Sequence, residues 1–199
     1  MRRIVVTEFV SLDGVMEEPR WTFQFERGPD GGKFKFDELF DSDALLLGRV
    51  TYQGFAQAWP SMGTDDFGKR MNSIRKYVVS STLTDDEATW GETTVIRGDV
   101  AAEIAKLKAE PGGDLLVEGS CQLAQTLTRH GLVDEYRLML FPIILGAGKR
   151  LFPDTMTEAA RLTLVDSKPD RDGVLLLRYH PAPAAESAAD QPPAAAGPA

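Results

Sequence analysis

Four short stretches of this chain place glycine, hydroxyl and guanidinium groups where an apolar run gives way to a polar one. Leu47-Gly48-Arg49-Val50-Thr51 offers a glycine, a cation and a hydroxyl. Glu118-Gly119-Ser120 offers a glycine and a hydroxyl, Ser80, Ser81 and Thr82 offer three hydroxyls, and Arg97 offers a guanidinium. If the apolar runs are strands that feed helices, the free N–H groups of two helix N-termini can hold two phosphate groups, as in a pyrophosphate. A ligand with a pyrophosphate and one further phosphate fits this distribution, and NADP is one. Each stretch also has a plainer reading. Glycine after a strand serves tight turns, Ser120 can simply cap a helix, and Ser80–Thr82 can be turn residues. Their occurrence together carries the binding reading.

The elements that must position these groups can be read from the same pattern. Arg3–Val10 is rich in β-branched residues and ends in Ser-Leu-Asp-Gly, a strand closed by a turn at Asp13–Gly14. Ala44–Leu47, Lys76–Ser80, Thr93–Arg97 and Leu115–Val117 are further short strands. Helices are expected over the segment RVTYQGFAQAW from Arg49, over a stretch with Val100, Ile104 and Leu107 on one face, and from Ser120 to a C-cap at Gly131. Strands alternating with helices imply parallel strands with crossover helices. In such sheets ligands sit at the carboxyl ends of the strands. The last third changes character. Glu135–Leu145 reads as one long strand, and Leu162–Ser167 and Gly173–Tyr179 flank Asp170-Arg171-Asp172-Gly173 as an antiparallel hairpin, so the sheet is mixed. Phe34, Leu39 and Phe40 fit a short amphipathic helix, Phe36 less well. The loop 17–33 holds Trp21, Phe23 and Phe25, which are either a lid over a pocket or plugs into the core.

Other candidate motifs are weaker. Gly146-Ala-Gly148-Lys149-Arg150 lacks the Gly, and the Ser or Thr, that a phosphate loop needs at 143 and 150. His130 and His180 have no partner cluster and read as structural or solvated, and Ser120 has no histidine base nearby in sequence. Cys121 opens a helix, which would lower its thiol pKa, and a thiol-dependent enzyme is one alternative; a small half-buried residue is the other. Asp37, Glu38, Asp41 and Asp43 read as a solvated acidic face.

The 199 residues are 43% hydrophobic and 26% charged, enough for one domain with its own core. The formal net charge of −8 argues against duplex nucleic acid or an anionic membrane as partner. No apolar run is long enough to span a bilayer, no signal peptide is visible, and one cysteine rules out an internal disulfide and a cysteine-based zinc site; the expected location is cytoplasmic. From Pro181 the chain is almost all Ala and Pro, so residues 1–180 are expected to fold and 181–199 to form a disordered tail.

Taken in order, Ser11-Leu12-Asp13-Gly14, Gly48-Arg49-Val50-Thr51-Tyr52, Tyr77-Val78-Val79-Ser80-Ser81-Thr82, Glu118-Gly119-Ser120 and Val133-Asp134-Glu135 leading into Pro142 and Leu145-Gly146-Ala147-Gly148 resemble the dihydrofolate reductase superfamily. The branch most similar is the reductase domain of bacterial riboflavin biosynthesis, over about residues 3–180. The resemblance implies an α/β, three-layer fold, with a central mixed β-sheet flanked by helices and a C-terminal antiparallel hairpin. It also implies NADPH along the strand ends and a homodimer. Arg49 and Thr51 would hold phosphate. Ser80, Ser81 and Thr82 would lie near the 2′-phosphate, and Gly119, Ser120 and Gln122 would cradle the pyrophosphate. The Ser11–Gly14 turn would lie near the nicotinamide. Glu118, Gly48 and Arg97 complete the expected cofactor set. The activity implied is hydride transfer from NADPH to a C=N or C=O bond of a pterin- or pyrimidine-like heterocycle, of the dihydrofolate or 5-amino-6-(5-phosphoribosylamino)uracil reductase type. Asp13 is the candidate polar contact to the reacting ring, with fixing the turn as its other role. Trp21 and Trp59 are candidate pocket walls or core. No metal is expected. No proton donor can be placed, so the alternative is a non-catalytic NADP(H)-binding sensor on the same fold.

Overall fold

A computed structural model describes residues 1–156 and 159–183. Eight strands form one sheet: β1 (Ile4–Ser11), β2 (Ser42–Gly48), β3 (Arg75–Val79), β4 (Thr93–Ile96), β5 (Asp114–Glu118), β6 (Glu135–Phe141), β7 (Leu162–Pro169) and β8 (Leu175–Pro181), in the order β4-β3-β2-β5-β1-β6-β8-β7. The strands from β4 to β6 pair in parallel. β8 is antiparallel to both β6 and β7. The mixed sheet and the C-terminal hairpin therefore match the sequence reading. The expected strand from Glu135 to Leu145 stops at Phe141, because Pro142 has no N–H to continue a ladder. Pro181, placed at the head of the tail, closes β8, and 184–199 of that tail lie outside the described residues.

Among the described residues five α-helices make the outer layers: α1 (Pro29–Phe40), α2 (Arg49–Met62), α3 (Asp66–Ser73), α4 (Val100–Ala109) and α5 (Cys121–Arg129). Ile104 and Leu107 of α4 and Leu123, Ala124 and Leu127 of α5 pack on Ile4, Val6, Leu46, Leu115 and Val117. Leu39 of α1, Tyr52 of α2 and Met71 of α3 pack on the other face, against Val5, Leu45, Leu47, Val78 and Leu116. The alternation of β1 thus feeds both faces, which is why its apolar residues Ile4, Val5 and Val6 run consecutively. Helix α3 buries Gly68 and Met71. It starts on Asp65, whose side chain accepts from the Gly68 N–H at 2.8 Å. The hairpin turn also serves α1: Asp170 accepts from Gly28 and Gly31 N–H groups, capping a helix that its own sequence leaves uncapped. At the far end of α5, Gly131 takes φ +61 and the Leu132 N–H returns to the Leu127 carbonyl, the expected glycine stop.

Candidate functional site

Neighbouring strands β2 and β5 send their following helices to opposite faces, α2 toward one and α5 toward the other. That is where an open α/β sheet forms a crevice. The cleft found there has a volume of about 1920 Å³, roomier than the ~300–1,000 Å³ that suits one drug-sized ligand. It can take two ligands side by side.

The two strand-to-helix junctions are tied to each other across this crevice. The Gly48 N–H donates to Ser120 Oγ at 2.9 Å, and the Ser120 N–H donates to Thr51 Oγ1 at 2.9 Å. Ser120 stands at the head of α5 with φ 62, and its hydroxyl does not cap that helix. The capping role expected of it is therefore replaced by a brace between junctions. Gly48, at the head of α2, supplies no side-chain cap either. The first-turn N–H groups of both helices thus lack a side-chain acceptor and open on one cleft. Thr51 uses a lone pair in the brace and keeps its hydroxyl proton for a ligand.

Of the expected cofactor residues, Gly48, Arg49, Thr51, Ser80, Ser81, Thr82, Arg97, Glu118, Gly119, Ser120 and Gln122 all line the cleft. Their engagement differs. Ser80 Oγ accepts from the Thr82 and Leu83 N–H groups and is held in its turn, while Ser81 and Thr82 stay exposed. The Arg97 guanidinium donates to the Leu83 carbonyl and to Asp85. Ser11, Asp13 and Gly14 lie off the cleft wall. Asp13 accepts from Ser11 Oγ at 2.7 Å and from the Leu145 and Gly146 N–H groups, clamping the Gly146–Gly148 loop to the first turn. Those hydrogen bonds, Ser11's first, hold its carboxyl down to about 2. The role of fixing the turn is the one its contacts fill.

The aromatic loop divides. Trp21 is a plug, edge-on to Phe141 at 5.5 Å, with its indole N–H on the Glu17 carbonyl. Phe25 packs edge-on to the same Phe141 ring at 5.3 Å and also reaches the cleft, which Phe23 of the loop and Trp59 of α2 line as well. Cys121 also corrects an expectation: burial, with the Glu8 carboxyl nearby, pushes its thiol up rather than down. Among the described residues, no three His, Cys, Asp or Glu side chains gather to hold a metal. Of the expected solvated acidic face, Asp37, Asp41 and Asp43 do meet solvent, Asp37 beside Lys33, while Glu38 turns inward and is buried.

Below the junctions lies a polar floor. Lys35 of α1 is buried and contacts the Glu38 carboxylate, and its Nζ lies 3.0 Å from Glu118 Oε1. Thr7 Oγ1 lies 2.9 Å from both Glu38 oxygens. Burial alone would strip the Lys35 proton, but Glu118 and Glu38 overcome it and hold the ammonium charged. Glu8 faces the other side of β1 and is 6% exposed; its Oε1 is buried with no hydrogen-bond partner. Burial pushes the Glu8 carboxyl well above the usual range, with Lys35 opposing.

The chain matches the model of the RibD C-terminal domain over residues 2–176. It belongs to that family. YyaP of Bacillus subtilis (strain 168), an uncharacterized protein, is 33% identical over 187 residues, 90% of this chain and 95% of YyaP. A crystal structure of a protein named for riboflavin biosynthesis, from Shewanella sp. PV-4, aligns with a TM-score of 0.74 at 21% identity, covering 91% of this chain and 99% of that one. RibD of Acinetobacter baumannii aligns at 0.58 and 17% identity, covering 92% of this chain and 58% of RibD. The expected dihydrofolate reductase-like architecture, in its riboflavin-reductase branch, is thereby shown.

Within this RibD C-terminal-type fold, sequence reasoning missed Thr7, Glu8, Lys35 and the inward turn of Glu38. One signal was available. Glu8 interrupts an otherwise apolar and β-branched strand, and a carboxyl in a central parallel strand has no cheap structural purpose. Lys35 and Glu38 are three apart on α1 and so share a face, but nothing in the sequence says that this face turns inward.

Proposed function

We propose that this chain is an NADPH-dependent reductase of a small pterin- or pyrimidine-like heterocycle. The observation that carries it is the pair of uncapped helix N-termini, braced to each other at 2.9 Å and opening on one cleft. Two rows of free N–H groups at that spacing suit a diphosphate. Arg49 and the Thr51 hydroxyl add charge and a donor at one end, and Gly119, Ser120 and Gln122 form the other wall. Ser81, Thr82 and Arg97 lie farther along the strand ends, where a 2′-phosphate would be read. Bound there, NADPH supplies the hydride. The chain's own residues hold and orient both ligands, and Phe23, Phe25 and Trp59 keep water from the reacting atoms. The volume of about 1920 Å³ leaves room for a substrate beside the cofactor.

The second reading is a non-catalytic NADP(H)-binding sensor on the same fold; a buried carboxyl on the cleft floor, Glu8, favours the reductase. The proposed setting is the cytoplasm and the proposed assembly a homodimer. Calorimetric titration with NADPH and NADH tests the reading: saturable heat with NADPH is expected, and no heat with either nucleotide would overturn it.

A further inference from the structure

The polar floor carries more acid than base. Glu38 and Glu118 contact a single Lys35, and Glu8, on the other side of β1, feels the same ammonium only at a distance. Three carboxylates and one ammonium in a space this dry leave a charge that burial opposes, so the floor is better off holding a proton. The contacts say where it goes. Glu38 receives Lys35 and the Thr7 hydroxyl, and Glu118 receives Lys35 at 3.0 Å. Glu8 has no cation on it and one oxygen with no partner at all. The carboxyl least served as an anion is the one that stays neutral. Glu8 is also beyond the last paired residue of β5, since Thr7 opposes Glu118 and the chain then turns away at Gly119. Its side chain therefore belongs to the cleft floor and not to the sheet interior.

We propose that Glu8 is the acid that delivers the proton accompanying hydride transfer. This rests on the reductase reading above. In the step, the C4–H bond of NADPH breaks with its electron pair and a new C–H bond forms on the carbon of the acceptor C=N. The π pair moves to nitrogen, which takes the Glu8 proton. NADP⁺ and the Glu8 carboxylate remain, and water recharges the carboxylate when product leaves. The groups that set the proton's affinity are Lys35 and Glu38 from α1, Glu118 from β5 and the Gly119 N–H, with Cys121 of α5 beside them. Lys35 is fixed between two carboxylates, so it does not compete as donor. A buried polar atom without a partner calls for one in the working state, and the acceptor nitrogen is that partner.

The test has two arms. The first is infrared spectroscopy of the apo wild type at neutral pH, with Glu8→Gln for assignment. The carbonyl stretch of a protonated carboxyl is expected in the wild type and absent from E8Q. If E8Q does not fold, carbon-13 NMR of glutamate-labelled wild type replaces it. A wild type with no protonated glutamate at neutral pH overturns the proposal. The second arm measures NADPH oxidation with dihydrofolate or 5-amino-6-(5-phosphoribosylamino)uracil as probe. E8Q should lose about 100-fold or more in kcat, with NADPH affinity and KM within about threefold. The alkaline fall of the wild-type profile should vanish, and E8D should recover part of the rate. E8Q turning over at the wild-type rate overturns the role of Glu8 alone. A wild type that binds no NADPH overturns the reductase reading and this step with it. One that binds NADPH but reduces neither probe leaves the carbonyl band to decide.

Discussion

Gly119→Ala probes whether the two junctions must touch as closely as they do. Gly119 has φ +64, and a Cβ built on it would lie 3.0 Å from Thr51 Cγ2 and 3.3 Å from Thr51 Oγ1. The left-handed backbone costs a non-glycine residue about 1–2 kcal/mol. Thr51 can yield only by swinging Oγ1 away from the Ser120 N–H, which forfeits a hydrogen bond worth about 1 kcal/mol. G119A should therefore destabilise the fold by about 2–3 kcal/mol. Thr51→Ala alone loses the same hydrogen bond and should cost about 1 kcal/mol. In the double variant that bond is already gone, and the nearest remaining Thr51 atom, Cβ at 3.8 Å, is in ordinary contact. T51A should then add almost nothing, and the double variant should fall short of the sum by about 1 kcal/mol. Urea unfolding of the four proteins measures this directly. Effects additive to within about 0.3 kcal/mol would refute the brace as described. NADPH affinity should fall in G119A, because the added methyl stands between the two helix N-termini.

Two further perturbations separate binding from stability. Arg49→Ala should weaken NADPH binding at least tenfold, since charge-assisted phosphate contacts are worth about 1.5–3 kcal/mol; unchanged calorimetric affinity would remove Arg49 from the site. Glu135→Gln should destabilise the fold without touching the cleft. Burial alone would raise the Glu135 carboxyl, but hydrogen bonds from Arg178 and Arg137 bring it from 4.5 down to about 2. A lowered carboxyl contributes stability that is present above the unfolded value and lost as pH falls toward the folded one. At ~1.36 kcal/mol per unit the ceiling is ~3 kcal/mol. Solvent around Arg178 and Arg3, 35% and 50% exposed, reduces this to about 1–2 kcal/mol. The gap between E135Q and wild type should be widest at neutral pH and close on acidification. A gap independent of pH would sink the linkage.

What the sequence made legible follows from how local each signal is. Strand β1, the junctions at Gly48 and Gly119 and the turn at Asp170 are written in neighbouring residues, because period, turn chemistry and glycine placement act over a few positions. The brace from Ser120 to Gly48 spans 72 residues, and the cap from Asp170 to Gly31 spans 139. Neither is visible until the sheet order brings its ends together. The same holds for the floor: Thr7, Lys35, Glu38 and Glu118 come from three elements, and only the packing of α1 over β1 and β5 joins them. Cys121 misled for a related reason. The helix N-terminus lowers a thiol in isolation, but burial and Glu8 act across the fold and outweigh it.

The charge distribution links the cleft to its expected ligand. The chain as a whole carries −8. The cleft lining, by contrast, holds six cations (Arg20, Arg27, Lys35, Arg49, Arg97 and Lys149) against five carboxyls (Glu8, Glu17, Glu18, Asp65 and Glu118). A neutral Glu8 widens the excess to two positive charges. An acidic surface around a locally positive crevice repels polyanions, whose charge extends past the crevice, yet admits a dinucleotide whose phosphates fit inside it. In the proposed reaction, transfer of the Glu8 proton would restore a negative charge to the floor as the nicotinamide became a cation. The product pair would thereby be charge-matched inside the cleft, a balance that the Glu8 proposal adds to the reductase reading on which it rests.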